Sequence, residues 1–240
     1  LFGWLFGFLS LPVSAEQTSQ SQAQVLTPIT VQVNWNHQFE FAGFYAAIMQ
    51  GYYADAGLDV TVKAWQPGIY GVDEVVNGNA QFATGYTSVI ADYAKGAPIS
   101  LVMTSFQFSP MVLLSHEPVV SLEQLSGKKI MHYSNMQIMA LIQKSQSVVK
   151  EPVIEISSTG NLQDFIDKKA DFYAAYHTNE PNRLSEEGVP FYILDPKSYG
   201  IQSYGDLVFT SQKMVREHPD LVAAFRDATI KGWQYAITHQ

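Results

Sequence analysis

Residues 31–62 read VQVNWNHQFEFAGFYAAIMQGYYADAGLDVTV, and this stretch decides the fold. Val31 and Val33 alternate with polar residues, which is typical of a strand, and the polar and aromatic cluster NWNH follows directly. Apolar residues then recur at helical spacing as far as Gly57, which is suited to a left-handed helix end, before LDVTV resumes the alternation. The pattern predicts a strand, a loop, a helix and a second strand. Because ligands of α/β proteins bind at the carboxyl ends of strands, the loop is the first candidate for ligand contacts.

The remaining sequence alternates strand-like and helical runs, which predicts an α/β protein. After the opening unit, the predicted helices are 72–78, 87–95 and 219–239, the last with apolar positions along one face. The predicted strands are 80–84, 99–104, 111–115, 129–132, 154–156 and 172–176. We expect two hinge-linked lobes. Residues 29–115 are predicted to form lobe 1, residues 116–198 lobe 2, and residues 199–240 a return crossing and a C-terminal helix that packs on lobe 1.

The N-terminal residues have the composition of an export signal. Residues 1–15, LFGWLFGFLSLPVSA, contain no charge and end in the small-x-small pattern VSA, which is typical of a signal-peptide cleavage site. A membrane anchor is the alternative, but a segment of this length is too short to span a bilayer unaided. Residues 16–28 are polar and rich in Gln and Ser, and we expect a disordered lead-in. The sequence therefore predicts a periplasmic or otherwise extracytoplasmic protein.

Composition and motifs exclude several classes of function. The chain contains no Cys, which excludes disulfides, thiolate nucleophiles and thiolate metal sites. Its formal net charge of -8, spread without acidic runs, argues against a nucleic acid as partner. No Gly-x-Ser-x-Gly, His-Glu-x-x-His or phosphate-loop motif occurs, and His37 has no second ligand at metal-binding spacing. We therefore expect a binding protein with neither metal nor cofactor.

Several pieces of the sequence together carry a family resemblance. They are residues 31–62 as quoted, VVNGNAQF at 75–82, KGAP at 95–98, residues 122–129, TNE at 178–180, SYGI at 198–201 and residues 224–233. In this order they resemble the periplasmic solute-binding proteins of the thiamine-pyrimidine-precursor-binding family (ThiY-like, NMT1/SsuA-like). The resemblance implies a two-lobed periplasmic-binding-protein fold of type II, capture of a small-molecule ligand between the lobes, and an ABC permease as partner. The ligand that it implies is a pyrimidine precursor of thiamine.

The same loop leaves a signalling function open. The segment WNHQFEFAG also resembles ligand-sensing domains on membrane histidine kinases and cyclic-dinucleotide enzymes. The helical pattern runs to Gln240 without a cap or turn signal, which predicts that the last lobe is truncated. A fused signalling module is therefore an alternative to the permease, and a missing C-terminal anchor is an alternative to the signal segment as the membrane attachment.

Residues at the predicted strand ends form the candidate ligand site. They are Asn34, Trp35, Asn36, Phe41, Tyr45, Pro67, Gly68, Tyr86, Thr87, Ser88, Phe106 and Gln107 in the first lobe, and Tyr133, Ser134, Asn135, Tyr176, Asn179, Glu180, Tyr199 and Tyr204 in the rest. This set contains one acid and no Lys or Arg, which favours a flat, uncharged or weakly basic heterocycle whose nitrogen edge donates to Glu180. Arg183, one helical turn later, and the helix amides after Tyr86 leave a small organic anion such as an alkanesulfonate as the alternative.

Some of these residues have equally ordinary structural interpretations. Trp35 and Phe41 could be core or wall aromatics, and Glu180 could be an acid that complements the start of a helix. Tyr199 and Tyr204 flank a Gly-containing crossing, where they could pack in the hinge instead of contacting a ligand.

An enzyme alternative arises because the fungal pyrimidine-forming synthases resemble much of this pattern. Those enzymes use a Lys that holds pyridoxal phosphate, a His that is consumed as substrate, and a Cys-rich loop. Here Thr84 and Ser88 stand where the Lys and the His would fall, and the chain has no Cys. The residue identities therefore exclude the synthase chemistry.

Overall fold

The computed structural model describes residues 25–133 and 135–239. The predicted signal segment, most of the predicted lead-in and Ser134 lie outside the described residues. Thr27 and Pro28, which the prediction places in the disordered lead-in, belong to the first strand and pair with Leu58 and Asp59. The polar residues around Thr27 and Pro28 do not predict a strand. The strand forms because it pairs with Leu58–Lys63, which is distant in the sequence.

Two five-stranded sheets form the framework of the two lobes. Their strands are β1 (Thr27–Gln32), β2 (Leu58–Lys63), β3 (Phe82–Gly85), β4 (Ile99–Phe106), β5 (Met111–Ser115), β6 (Lys129–His132), β7 (Ile154–Ser157), β8 (Phe172–Tyr176), β9 (Tyr192–Leu194) and β10 (Gly205–Ser211). The first sheet has the order β2-β1-β3-β10-β4, and the second has the order β7-β6-β8-β5-β9. The chain thus leaves the first sheet after β4 and returns to it at β10. This topology confirms the predicted two-lobed α/β fold.

Helices cover both sheets. They are α1 (Ala42–Met49), α2 (Tyr52–Asp55), α3 (Gly71–Asn77), α4 (Ser88–Ala94), α5 (Met136–Ser145), α6 (Gln163–Ile166), α7 (Glu180–Glu186), α8 (Gln212–Glu217) and α9 (Pro219–Thr238), with 3-10 turns at Phe39–Phe41, Leu122–Leu125 and Pro196–Tyr199. Gly51 (φ 75°) separates α1 from α2, and Gly57 (φ 76°) provides the predicted left-handed turn before β2. Within the described ranges, no helix combines the length and the apolar character needed to cross a membrane.

Three segments differ from the sequence-based expectation. Met111–Ser115, which the prediction assigns to lobe 1, is a strand of the second sheet and pairs antiparallel with β8 and β9. Tyr192–Leu194 is an edge strand of three residues, which is too short to show a clear alternation. Gly205–Ser211 is a strand that pairs on both sides in the first sheet. The sequence predicts a crossing as far as Asp206, because Gly and Asp are disfavoured in strands.

The C-terminal helix α9 packs on α1 through two glycines. A Cβ atom on Gly232 would lie 2.0 Å from the Gly43 carbonyl oxygen, and a Cβ atom on Gly43 would lie 2.2 Å from the Trp233 ring. The two helices therefore approach too closely for a side chain at either glycine. One face of α9 also reaches the sheet, where Phe225 stacks on Phe82 with ring centroids 3.8 Å apart. The helix that begins just after the loop following β1 is thus held rigidly on the first lobe.

Candidate functional site

A small cavity lies where the loops after β1, β3, β6 and β8 meet between the lobes. The first lobe contributes Trp35, Gln38, Glu40 and Tyr86, and the second contributes Met111, Tyr133, Ala174, Ala175, Tyr176, Asn179 and Glu180. The cavity has a volume of about 30 Å³. Ligand pockets usually enclose about 300 to 1,000 Å³. The lobes are therefore closed on each other, and a ring-shaped ligand requires them to separate.

Trp35 forms the aromatic wall at the end of β1. Its ring stacks on Trp65, which follows β2, with centroids 6.0 Å apart, and it meets Tyr133 of the second lobe edge-on at 5.4 Å. The Trp65 backbone N–H donates to the Trp35 carbonyl at 3.0 Å, so the two first-lobe loops hold each other. Separation of the lobes exposes the part of Trp35 that Tyr133 covers, and a flat ligand can then stack there.

Glu180 begins helix α7 and also lines the cavity. Its Oε2 accepts from the Tyr176 backbone N–H at 2.8 Å, and its Oε1 accepts from Asn179 Nδ2 at 3.1 Å. Burial raises the pKa of Glu180, while these hydrogen bonds and the Arg183 charge act to lower it. Since each carboxylate oxygen has a second lone pair, Glu180 is oriented by the protein and remains able to accept from a ligand. Glu180 therefore both begins helix α7 and lines the cavity.

Two side-chain hydrogen bonds join the lobes beside the cavity. Tyr176 Oη donates to Asp206 Oδ1 at 3.2 Å, and Asn179 Nδ2 donates to Gln38 Oε1 at 3.4 Å. Burial raises the pKa of Tyr176 and of Tyr86 well above that of an ordinary phenol. Both hydroxyls therefore stay neutral and able to donate.

Glu40 and Asp206 form a buried pair of carboxyl groups at this site. Glu40 is 6% exposed and lines the cavity, and Asp206 is 1% exposed. Gln38 Nε2 donates to Glu40, and Tyr176 Oη donates to Asp206. Burial raises the pKa of both carboxyls, and the charge of Asp206 raises that of Glu40 further. In the described residues, no group of three or more His, Cys, Asp or Glu is placed to hold a metal ion.

Six of the predicted ligand residues line the cavity. They are Trp35, Tyr86, Tyr133, Tyr176, Asn179 and Glu180. They come from the ends of four strands in two sheets, as the strand-end argument requires. Their contact with a ligand stays a prediction.

Four other predicted residues have structural roles instead. Phe41 is 1% exposed and belongs to the first-lobe core, because the 3-10 turn that contains it lies against α1. Asn135 caps α5, where its Oδ1 accepts from the Gln137 backbone N–H at 2.9 Å. Tyr199 packs on the second-lobe core, and Phe106 packs edge-on against the α9 tryptophan. These side chains are already committed to other contacts and do not line the cavity.

The remaining predicted residues lie beside the cavity or at the surface. Tyr45 hydrogen-bonds His37 within an outer groove, and Asn34 bonds Thr84 and lines a second, neighbouring groove. Asn36, Pro67, Gly68, Thr87, Ser88, Gln107 and Tyr204 are partly or fully exposed and do not line the cavity.

The sequence-based list also omits residues that the structure brings to the site. Gln38 and Glu40 follow Trp35 closely, so extending the strand-end rule along the whole loop would include them. Met111 begins β5, and its place at the cavity depends on the pairing of β5 with β8 in the second sheet. Asp206 is missed because Gly and Asp are disfavoured in strands, although both residues begin β10.

The neighbouring groove on the first lobe is larger than the cavity. It encloses about 540 Å³, and its walls include Asn34, Trp65, Tyr70, Tyr86 and Ser88. Tyr86 lines both the groove and the interlobe cavity. A planar ligand larger than a single ring could therefore contact both spaces at once.

Comparisons with known proteins agree with the architecture. The chain is 24% identical to the riboflavin-binding protein RibY of Chloroflexus aurantiacus, over 86% of this chain and 62% of that protein. It is also 24% identical to the formylaminopyrimidine-binding protein of Halalkalibacterium halodurans, over 93% of this chain and 71% of that protein. The periplasmic aliphatic sulphonate binding protein SsuA of Escherichia coli superposes with a TM-score of 0.71 at 11% identity, over 88% of this chain and 74% of that chain, which shows a shared fold. The family model described as NMT1/THI5 like matches residues 38–240, and the chain therefore belongs to this family.

Proposed function

We propose that this chain is the ligand-capturing part of an extracytoplasmic solute receptor. Its ligand would be a small, flat, weakly basic nitrogen heterocycle of the aminopyrimidine class, held between the two lobes. Lobe closure around the ligand would produce the state that a downstream partner recognises. The relatives are named for binding and not for catalysis, which supports a receptor.

The composition of the cavity wall is the observation that carries this proposal. Four aromatic rings, those of Trp35, Tyr86, Tyr133 and Tyr176, surround the space, and two amides and two acids supply its polar edge. Among the described residues, none of those lining the cavity is Lys, Arg or His. Aromatic faces stack on a flat ring, and carboxylates accept from exocyclic amines or ring N–H groups.

A small organic anion fits this wall poorly. Glu40 and Glu180 would face the anion, and no basic side chain of the described cavity wall would offset them. Arg183 is exposed on α7 and acts on Glu180 without lining the cavity. The structural likeness to a sulphonate-binding protein concerns the fold, so it does not favour this ligand class.

A larger planar ligand is the second candidate. The groove beside Tyr86 offers about 540 Å³, and the relative in Chloroflexus aurantiacus is named for riboflavin. Such a ligand would place one ring in the opened cleft and extend past Tyr86 into the groove.

The partner would be an ABC permease, with a fused signalling module as the alternative. The chain spans only 62% of the length of the relative named RibY, so the activity of the whole protein is part of this proposal. Sequencing the complete gene separates the two partners. A kinase or cyclic-dinucleotide domain encoded after residue 240 would indicate signalling, and its absence beside a permease gene would indicate transport.

The ligand class can be tested by thermal shift, because a bound ligand stabilises the folded state by mass action. The panel is formylaminopyrimidine, riboflavin and an alkanesulfonate, each measured with the wild type, Glu180→Gln and the exposed control Glu186→Gln. We expect formylaminopyrimidine to raise the melting temperature of the wild type and the control, and the Glu180→Gln variant to bind about tenfold more weakly, about 1.4 kcal/mol. Stabilisation by the alkanesulfonate alone would contradict the proposed ligand class.

A further inference from the structure

Glu40 and Asp206 come from different parts of the first lobe and meet at the closed cleft. Glu40 lies in the 3-10 turn Phe39–Phe41, and Asp206 is the second residue of β10. Both are more than nine-tenths buried, and they lie close enough for the charge of Asp206 to raise the pKa of Glu40. Two carboxylates so close together and away from water cannot both carry a charge without a compensating cation. The pair therefore holds a proton when no cation is near.

The surroundings of the pair satisfy only half of its oxygens. Gln38 donates to Glu40 Oε2, and Tyr176 Oη donates to Asp206 Oδ1. Glu40 Oε1 and Asp206 Oδ2 are buried and have no partner in the described structure. Glu40 lines the cavity. Since buried polar atoms are normally paired, its unpaired oxygen points to a donor that comes from outside the chain.

Within residues 25–133 and 135–239, no positively charged side chain is found to compensate this pair. The titratable groups that face it are Glu180 from α7, Tyr176 from β8 and Tyr86 from the loop after β3. The neutral groups are the amides of Gln38 and Asn34. Among the described residues, no Lys, Arg or His lines the cavity next to Glu40.

We propose that Glu40 and Asp206 form a proton-sharing subsite that selects a ligand bearing a cationic nitrogen edge. This inference rests on the proposed solute-binding function and names the charge of the bound ligand. The ligand nitrogen donates to Glu40 Oε1, and its positive charge allows both carboxyls to be ionised. Glu180, on the opposite lobe, accepts from a second donor of the same ligand when the lobes close.

The proton balance depends on the ligand. A neutral weak base, such as an aminopyrimidine, takes the shared proton onto its ring nitrogen, so the bound ligand is a cation and no proton enters the solvent. A ligand that is already charged, such as an amidinium, displaces the shared proton into the solvent. Release of up to one proton on binding of a permanent cation is therefore a specific consequence of the pair.

The test compares benzamidine, a flat ring with a permanently charged amidinium, with benzamide, its neutral isostere. We expect the wild type to bind benzamidine about tenfold or more tightly than benzamide, because the charged edge is paired in a buried site. Titration calorimetry in two buffers of different ionisation enthalpy should show proton release close to one near neutral pH. In Glu40→Gln both the preference and the proton release should be lost, whereas the exposed control Glu187→Gln should retain both.

A ligand-free readout keeps the pair testable by itself. The infrared spectrum of the wild type near neutral pH should contain a C=O band of a protonated carboxyl group, and Glu40→Gln and Asp206→Asn should each reduce it. Absence of this band in the wild type would overturn the proton-sharing pair. Equal binding of benzamidine and benzamide, or binding of neutral solutes only, would overturn the selection while leaving the solute-binding function intact. If no solute of either panel binds, the proposed function and the selection both fail, and the infrared band alone would remain as a property of the fold.

Discussion

At the scale of single residues, Trp35 determines how a flat ligand can be held. Its ring lies between Trp65 of the same lobe and Tyr133 of the other lobe, so it forms a wall that is present before closure and completed by it. Its position at a strand end makes it predictable from the sequence. The stacking partners are not predictable in this way, because they depend on how two loops and two lobes meet.

Replacement of Trp35 by Ala should weaken ligand binding strongly while the fold stays intact. The variant loses the stacking surface and part of the buried apolar area, and we expect an affinity loss of about tenfold or more, about 1.4 kcal/mol. Titration calorimetry with the ligand found in the thermal-shift panel measures this loss. Tyr93→Ala, an exposed aromatic of α4 outside the cleft, should bind normally. Normal binding by Trp35→Ala would remove this residue from the site.

The buried carboxyl pair should make the stability of the ligand-free protein depend on pH. Because burial raises the pKa of Glu40 and of Asp206, the folded protein holds protons that the unfolded chain has already released. The contribution of this pair to the free energy of unfolding is therefore fully present below the ordinary carboxyl pKa range. It is lost as the pH rises through the raised pKa values of the folded state. Glu40→Gln should reduce this loss of stability. The measurement is the melting temperature from about pH 5 to about pH 9, which covers the ordinary and the raised carboxyl pKa values. The pH profile of Glu187→Gln should follow the wild type, and an unchanged profile in Glu40→Gln would show that Glu40 is ionised in the folded state.

The acids also mark the limit of sequence-based prediction at this scale. Glu180 follows a recognisable strand and belongs to the TNE triplet, so it can be identified from the sequence. Glu40 resembles an ordinary loop acid, and its burial results from Asp206 and Tyr176, which are far away in the chain. A local sequence pattern does not predict a contact between residues that are so far apart in the chain.

At the scale of elements, the contact between α1 and α9 controls the position of the ligand loop. Gly43 and Gly232 allow the two backbones to meet, and α1 begins directly after the loop that contains Trp35 and Glu40. The helical spacing of α1 and α9 is visible in the sequence. The need for glycine at these two positions is not visible, because each glycine is required by the other helix.

Substitution of Gly232 by Ala should destabilise the first lobe. The added Cβ atom would meet the Gly43 carbonyl oxygen at 2.0 Å, so the helices must move apart. Overpacking of this kind typically costs about 1 to 3 kcal/mol. Urea denaturation of the variant measures the cost, and Gln234→Ala, exposed on the same helix, should leave the free energy of unfolding nearly unchanged. A stability of Gly232→Ala equal to that of the wild type would mean that the helices are not in this close contact.

The strands show which elements a sequence pattern can reveal. Strands β5, β6 and β8 agree with the predicted bounds, because their apolar runs are buried on both faces or bounded by clear breaks. Strand β10 begins at Gly205, where the predicted return crossing reaches the first sheet, although Gly205 and Asp206 do not fit a strand pattern. Asp206 even adopts a φ of 44°, a conformation that residues other than Gly rarely take. Long-range pairing on both sides of β10 outweighs the local preference.

At the scale of the whole molecule, the closed arrangement depends on a few contacts between the lobes. Tyr176 donates to Asp206 across the cleft, and Asn179 donates to Gln38. The order of the two lobes along the chain follows from the sequence, whereas the closure of the cleft follows only from the three-dimensional arrangement. A ligand enters only when these lobes separate, and it then stabilises the state in which they close around it.

Tyr176→Phe should shift the balance towards the open state. The variant removes the hydroxyl that joins the second lobe to Asp206, and a hydrogen bond of this kind contributes about 0.5 to 1.5 kcal/mol. Since this bond joins the two lobes, we expect the variant to bind the ligand about two- to tenfold more weakly. Titration calorimetry reports the affinity, and small-angle scattering reports the compactness of the liganded protein. A variant that closes and binds as the wild type does would show that this bond does not contribute to closure.

The most direct test of the central claim is a crystal structure of the protein with the solute that gives the largest thermal shift. We predict a flat ring between Trp35 and Tyr133, with a nitrogen edge that faces Glu180 and Glu40 and with the lobes closed around it. A ligand bound with an acidic group in the cleft, or bound only outside the space between the lobes, would contradict the account.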